Sequence, residues 1–231
     1  MISIQPLTIH EHISEVASLE RRIWGYGDLD LDSPNMLTVT SRFTGQLIGS
    51  FDDGRLIGLA LSFATLSPGR LHSHRVGVLP EYQNKGIGRQ LKLAQREDAL
   101  AKGMDTIQWT FDPLQARNAH FNLVRLGGIA KSYIPNLYGI TSSPLHGGLP
   151  TDRLLIEWHL QSPRVCQIIA GISPQASGDV CQIDLPAPDE RRKVTALERL
   201  REEFTRRLGE GFLVAGFQTD NERSFYILER A

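Results

Sequence analysis

Gln83-Asn84-Lys85-Gly86-Ile87-Gly88 decides how this chain is read. An apolar, β-branched stretch closes just before it on Val76-Gly77-Val78-Leu79-Pro80, and an amphipathic stretch opens after it at Arg89. A strand that stops, a turn with two glycines and a helix that starts leave the first helical amides without internal acceptors. They also sit at the positive end of the helix dipole, which favours a phosphate. Gly86 and Gly88 allow the backbone to approach such a ligand where a Cβ would obstruct it. Two familiar glycine motifs fail. A dinucleotide fingerprint needs a third glycine where Leu91 stands, and a P-loop needs Gly-Lys then Ser or Thr, whereas here Lys85 precedes Gly86.

Outward from the turn, the pattern alternates strands and helices. Residues 2–5 read as a strand. Residues 9–24 carry Ile13, Val16, Ala17, Leu19 and Ile23 in a helical stripe, broken by Glu20. Ser33-Pro34 starts a second short helix, a cap followed by a first-turn proline. Residues 46–51 and 56–66 flank Asp52-Asp53-Gly54, a hairpin signal, and a fourth strand spans 71–79. The helix after the turn stops at Gly103. Residues 106–111 alternate as a strand, a helix from 115 ends at Gly127-Gly128, and strands cover 129–138 and 153–160. Beyond Pro163, residues 165–169 and 180–185 read as strands, 189–208 as a charged amphipathic helix, and 212–217 with 225–228 as a closing hairpin.

The pattern Gln-x-x-Gly-x-Gly behind a Val-x-Val strand resembles the acyl-coenzyme A signature of the GCN5-related N-acetyltransferase (GNAT) superfamily. The element order βααβββαβαβ is also that superfamily's, so the resemblance covers roughly residues 1–160. It implies an α/β (α+β) fold with a mixed, mostly antiparallel central sheet flanked by helices. The expected division is an acyl-coenzyme A-binding domain over 1–161 and a C-terminal strand, helix and hairpin lobe over 162–231. That lobe, with the runs Leu71-His72-Ser73-His74, Trp109-Thr110-Phe111-Asp112-Pro113-Leu114 and Arg117-Asn118-Ala119-His120-Phe121-Asn122, resembles a bacterial branch of predicted acetyltransferases.

In the resembling family the loop amides hold the coenzyme's pyrophosphate. That role falls here on Gln83, Asn84, Lys85, Gly86, Ile87, Gly88 and Arg89. The preceding strand pairs with the pantetheine arm and supplies an oxyanion donor, a role that falls on Val76, Gly77 and Val78. The resemblance implies an N-acyltransferase that moves acetyl, or another small acyl group such as succinyl, from coenzyme A to a small amine. An amino acid is one candidate acceptor. The alternative is a coenzyme-binding regulatory module with little catalysis.

Thioester aminolysis needs an amine that loses a proton and a thiolate that gains one. Some family members place a glutamate base on the fourth strand, and the same spacing back from Gln83 lands on His72. A histidine suits the role because its ordinary pKa of about 6.5 leaves it largely neutral at pH 7. His74 follows two residues along, on the same strand face. His72 and His74 as metal ligands would need a third residue that the neighbouring sequence does not supply. The acid is where the chain departs from the family. The tyrosine position is occupied by Leu123, the motif's Asn position by Ala116, and the closing pair is Gly127-Gly128. Tyr133 and Tyr138 are substitute acids, with His120 a third candidate, and a water relay stays open. Asn118 and Asn122, one helical turn apart, are candidate coenzyme or acceptor contacts. Trp24, Tyr26 and the Gly/Asp loop lie where the superfamily builds acceptor specificity, and Arg42, Arg75, Arg117 or Arg153 could fork onto a carboxylate.

Composition bounds the rest. With 231 residues and a formal net charge of −1, nucleic acid and anionic membrane are not expected partners. Cys166 and Cys181 are too few for a disulfide framework and fit a reducing cytoplasm as free thiols. No run approaches a membrane span, and the N-terminus lacks a basic segment followed by an apolar one. The C-terminal lobe leaves a homodimer open.

Overall fold

The computed structural model describes residues 1–140, 148–175, 178–191, 193–220 and 223–230. Two compact units form, Met1–Ile107 and Gln108–Ala231.

The first unit contains β1 (Ile2–Pro6), α1 (His10–Trp24), α2 (Pro34–Val39), β2 (Gly45–Asp52), β3 (Arg55–Ala64), β4 (Arg70–Val78) and α3 (Ile87–Ala101). Strands β1 to β4 lie side by side in chain order, each antiparallel to the next. The β2–β3 hairpin turns on Asp53 and Gly54, at φ 47° and 83°. Two successive positive φ values match the right-handed twist of the flanking strands. Helix α1 buries Ile13, Val16 and Leu19 and stops at Gly25, whose φ of 69° lets its N–H reach Arg21 O at 2.9 Å. Residues Leu56 to Leu61 are buried without alternation, because β3 is central and covered on both faces. Leu47, Ile57, Leu59, Leu61, Leu79 and Leu91 share one core with the α1 stripe.

Between β3 and β4 the register slips by one residue. Ser62 faces Ser73 and Leu61 faces Arg75, which leaves His74 as the extra residue of a bulge. Cross-strand partners share a face, so Ser73 follows Ser62 while Arg75 follows Leu61 on the other side. Strict alternation would have put Ser73 and Arg75 together.

Strand β5 (Thr106–Phe111) runs into the second unit. There follow α4 (Ala116–Ala119), β6 (Ile129–Ile134), β7 (Arg153–His159), α5 (Pro163–Ile169), β8 (Val180–Asp184), α6 (Val194–Gly209), β9 (Phe212–Asp220) and β10 (Arg223–Arg230). Their order is β5-β7-β6-β9-β10-β8, with β6 antiparallel to β7 and to β9, and β10 antiparallel to β9 and to β8. The expected element order through β7 and the mostly antiparallel α/β class both hold. Residues 165–169, expected as a strand, form α5 instead. Ser162 caps it, accepting from Val165 N, and Pro163 occupies the first turn, so a local start signal overrides the β-branched composition. The helix expected from 115 is also irregular: α4 widens into a π-type turn over His120–Arg125.

Asp152 organises this unit. Its buried carboxylate accepts Tyr133 Oη at 2.7 Å, Asn136 N at 2.9 Å, and a two-pronged bond from Arg201 on α6 at 2.8 and 2.9 Å. Phe204 of α6 stacks on Tyr133 and meets Tyr226 edge-on, and buried Tyr226 donates to Pro113 O at 2.6 Å. Leu200, Phe204 and Tyr226 are each almost wholly buried, worth about 1.5–3 kcal/mol for an apolar side chain of this size. Both cysteines are free thiols, Cys166 exposed and Cys181 half-buried. Among the described residues no helix is long and apolar enough to cross a membrane.

Candidate active site

The turn between β4 and α3 is built by two residues in the left-handed region, Asn84 at φ 61° and Gly86 at φ 81°. Asn tolerates that region better than most residues, and Gly adopts it freely. Gln83 N reaches Pro80 O at 3.2 Å, and the next amides among the described residues with such a main-chain bond are those of Arg89 and Gln90, both on Gly86 O at 3.1 Å. The amides of Lys85, Gly86, Ile87 and Gly88 precede them. Gly88 has a helical backbone and no conformational need for glycine, and a Cβ placed on it would meet nothing within 4 Å. A glycine in a helix costs roughly 0.5–1 kcal/mol relative to alanine. Nothing inside the protein accounts for it. Lys85 is exposed, its Nζ 5.0 Å from the Tyr82 ring, while Ile87 turns into the core. Gln83 folds back to donate to Val78 O at 3.1 Å, closing the turn onto the end of β4.

That bond also orients β4. Leu79 N donates to Ile57 O on β3 at 2.9 Å, so odd-numbered residues here bond toward β3. Val76 and Val78 therefore direct their amides to the opposite edge of the strand. Gly77 is glycine for packing: a Cβ there would lie 2.5 Å from the Trp24 ring. His72 pairs with Phe63, and the His74 ring meets the same Phe63 at 5.5 Å, so both imidazoles gather on one side of β4. Burial pushes both below the ordinary histidine value. The charges of His74 and Lys92 add to the effect on His72, as does that of Arg75 on His74, where Asp32 opposes it. Both are neutral at pH 7 and able to accept a proton.

The other face of β4 carries a buried polar chain. Lys92 Nζ donates to Ser73 Oγ at 2.9 Å, Ser73 to Gln95 Oε1 at 3.1 Å, and Ser62 to Gln46 Oε1 at 2.6 Å. Burial holds the Lys92 amine well below its ordinary pKa.

Arg75, brought by the bulge to the histidine side, is fully engaged. Nη1 lies 3.1 Å from Glu20 Oε1, Nη2 donates to Asp30 O at 2.9 Å, and Nε lies 3.2 Å from Asp32 Oδ2. Its guanidinium sits 4.8 Å over Tyr26 and 5.8 Å over Trp24, themselves stacked at 5.5 Å. Arg75 thus has no fork to offer an acceptor carboxylate. Glu20 and Asp32 were not among the expected site residues, although Glu20 interrupts the apolar stripe of α1.

In the second unit the four expected site residues separate by exposure. Asn122 is buried, its Oδ1 taken by Trp109 Nε1 at 3.1 Å, whereas Asn118 is exposed. The π-type turn breaks the one-turn spacing that would have aligned them. Leu123, at the family's tyrosine position, is fully buried. Burial and the Asp152 carboxylate push the Tyr133 phenol far above its ordinary value, so it holds its proton inside the Asp152 cluster. Tyr138 is half exposed, with its hydroxyl 3.3 Å from Thr110 Oγ1 on β5 and its ring 5.4 Å from the Arg153 guanidinium.

Solved structures of the same fold are numerous. The ribosomal-protein-S18-alanine N-acetyltransferase from Escherichia coli superposes with a TM-score of 0.57 at 16% identity, over 70% of this chain and 96% of that one. An aminoglycoside 6'-acetyltransferase type Ii gives 0.55 at 16%, over 69% and 98%. The PaiA N-acetyltransferase from Thermoplasma acidophilum, solved with coenzyme A, gives 0.52 at 18%, over 69% and 99%. These are likenesses of fold. No curated protein sequence matches the chain. The acetyltransferase (GNAT) family model matches residues 13–127, a stretch that holds most of α1, the bulged β4 and the glycine turn, and with the fold in agreement the chain belongs to that family.

Proposed function

We propose that the chain is a cytoplasmic acyl-coenzyme A-dependent N-acyltransferase that acts on the amine of a small molecule by direct attack. The observation that carries this reading is Gly88, a helical glycine with open space above it, in the first turn of α3 directly after the left-handed Asn84 and Gly86. The amides of residues 85 to 88 hold the diphosphate of the donor. The amides of Val76 and Val78, directed away from β3, are the candidates to hold the carbonyl oxygen as it takes on negative charge. Such a donor is commonly worth about 2.7–4 kcal/mol. The amine nitrogen bonds to the acyl carbon and the carbon–sulfur bond breaks. His72 takes the amine's proton, with His74 beside it, and the departing thiolate takes up a proton. Tyr133 is committed to Asp152, and Asn122 to Trp109; neither is free for these steps. The steps require no metal.

Acetyl- and succinyl-coenzyme A, each offered with amino acids and other small amines, test the reading by release of free thiol. Release that depends on both donor and amine is expected. Tight coenzyme binding with no release for any pair would favour the regulatory module, a reading to which buried Leu123 at the usual tyrosine position lends weight.

A further inference from the structure

We propose that Glu20 is a positioning residue that latches the segment 25–32 onto β4 through Arg75, and that a proton held by Glu20 keeps the latch shut. In its bearing on catalysis this rests on the function proposed above, since Arg75 immediately precedes Val76–Val78. The latch itself does not.

The Glu20 side chain is wholly buried, with Oε1 3.1 Å from Arg75 and Oε2 accepting Asp32 N–H at 3.0 Å. The segment it holds crosses Tyr26, Asp30 and Asp32, and each of them touches or faces the same guanidinium. Trp24, at the end of α1, lies on Gly77 so closely that even a methyl group there would collide. One cation therefore ties together a helix, a loop and the strand. Asp32 from the segment and Arg75 from β4 act on Glu20 directly; Tyr26 faces Glu20, Arg75, Asp30 and Asp32, and His74 faces Arg75 and Asp32.

Two carboxyls, the buried Glu20 and the half-buried Asp32, share that one cation. An ionised Glu20 would add a second negative charge against a single positive one, away from water; a protonated Glu20 does not. Burial, and then the neighbouring Asp32 carboxylate, outweigh the Asp32 N–H bond and Arg75, and Glu20 is held up to about 7. If the segment lifts away, Glu20 meets water and returns to its ordinary value near 4.5. Opening is therefore increasingly favoured as pH rises from about 4.5 to about 7, and the gain levels off above that.

Amide hydrogen exchange on the full chain without ligand reads the latch directly. After correction for the intrinsic rate, opening of peptides over 25–32 is expected to increase about tenfold between pH 6 and 8.5, while exchange in β3 stays level. Glu20→Gln, which keeps the shape and cannot ionise, should hold its protection level across that range. In wild type labelled at the glutamate carboxyls, one resonance should titrate near pH 7. Level wild-type protection over 25–32, a Glu20→Gln variant that follows wild type, or carboxyls that all titrate near 4.5 would each overturn the latch. A coenzyme that fails to bind would sink the proposed function and leave these readings untouched.

Discussion

Replacing Gly88 by alanine and by leucine separates what the fold needs from what a ligand needs. The site is in the first turn of α3, with a helical backbone and no atom within 4 Å of a new Cβ. Alanine should therefore fold and gain stability. The full interior gain is roughly 0.5–1 kcal/mol, and the first turn should sit near the lower figure. Leucine forms helix almost as well as alanine, so it should fold too, and both variants should raise the urea midpoint by a few tenths molar, about 0.2–0.5 M. Their coenzyme binding should part company. Gly88→Ala adds a single Cβ to the open space and should weaken binding only modestly. Leucine fills the space over the turn and should push the diphosphate off one or two of the amides at 85 to 88. Hydrogen bonds to charged groups are worth about 1.5–3 kcal/mol each, so an overall loss of roughly 2–4 kcal/mol lowers affinity about 30- to 1,000-fold. Titration calorimetry with coenzyme A and urea unfolding on the same samples measure both quantities. A folded Gly88→Leu protein that binds coenzyme A as tightly as wild type would refute the cradle.

His72→Ala should lower kcat/KM by about 10²–10⁴-fold and remove the acidic limb of its pH profile, which in wild type should fall below the ordinary histidine value of 6.5. Tyr133→Phe should cost about 1–2 kcal/mol in urea unfolding by leaving a buried Asp152 lone pair unmet, with turnover little changed. The folded chain should keep a Glu20 proton that the unfolded chain loses between about pH 4.5 and 7. Wild-type stability should accordingly fall across that window by about 2 kcal/mol and level off above it, a slope that Glu20→Gln should flatten.

Much of the fold was legible because its signals are local. The stripe of α1, the Asp53-Gly54 turn and the strand-turn-helix around Gly86 each declare themselves within a few residues, and each formed as expected. The misreadings share a cause. Ser162-Pro163 is a helix start whose signal stands before the segment it governs, and it overrides the β-branched run at 165–169. The π-type turn at 120–125 and the bulge at His74 each shift periodicity by one residue, which no propensity records. Those two shifts account for the site residues that moved. Asn122 turned inward to Trp109, and Arg75 turned toward Glu20. Glu20 left a trace as a charged residue in an apolar stripe, but its partners Asp32 and Arg75 lie far along the chain, and only folding brings them together.

Asp152 also sets the terms on which this protein can be shortened. A version ended after residue 161 would retain the whole superfamily-like portion yet lose Arg201, Phe204 and Tyr226 at a stroke. It would bury a carboxylate with its cation gone, strip Tyr133 of its ring partner, and bare the margin of β6 where Ala130 now meets Val214. A naked strand margin invites other chains to add themselves to it. Trimming to a minimal enzyme would therefore yield clumping polypeptide, and the final seventy residues are foundation rather than ornament.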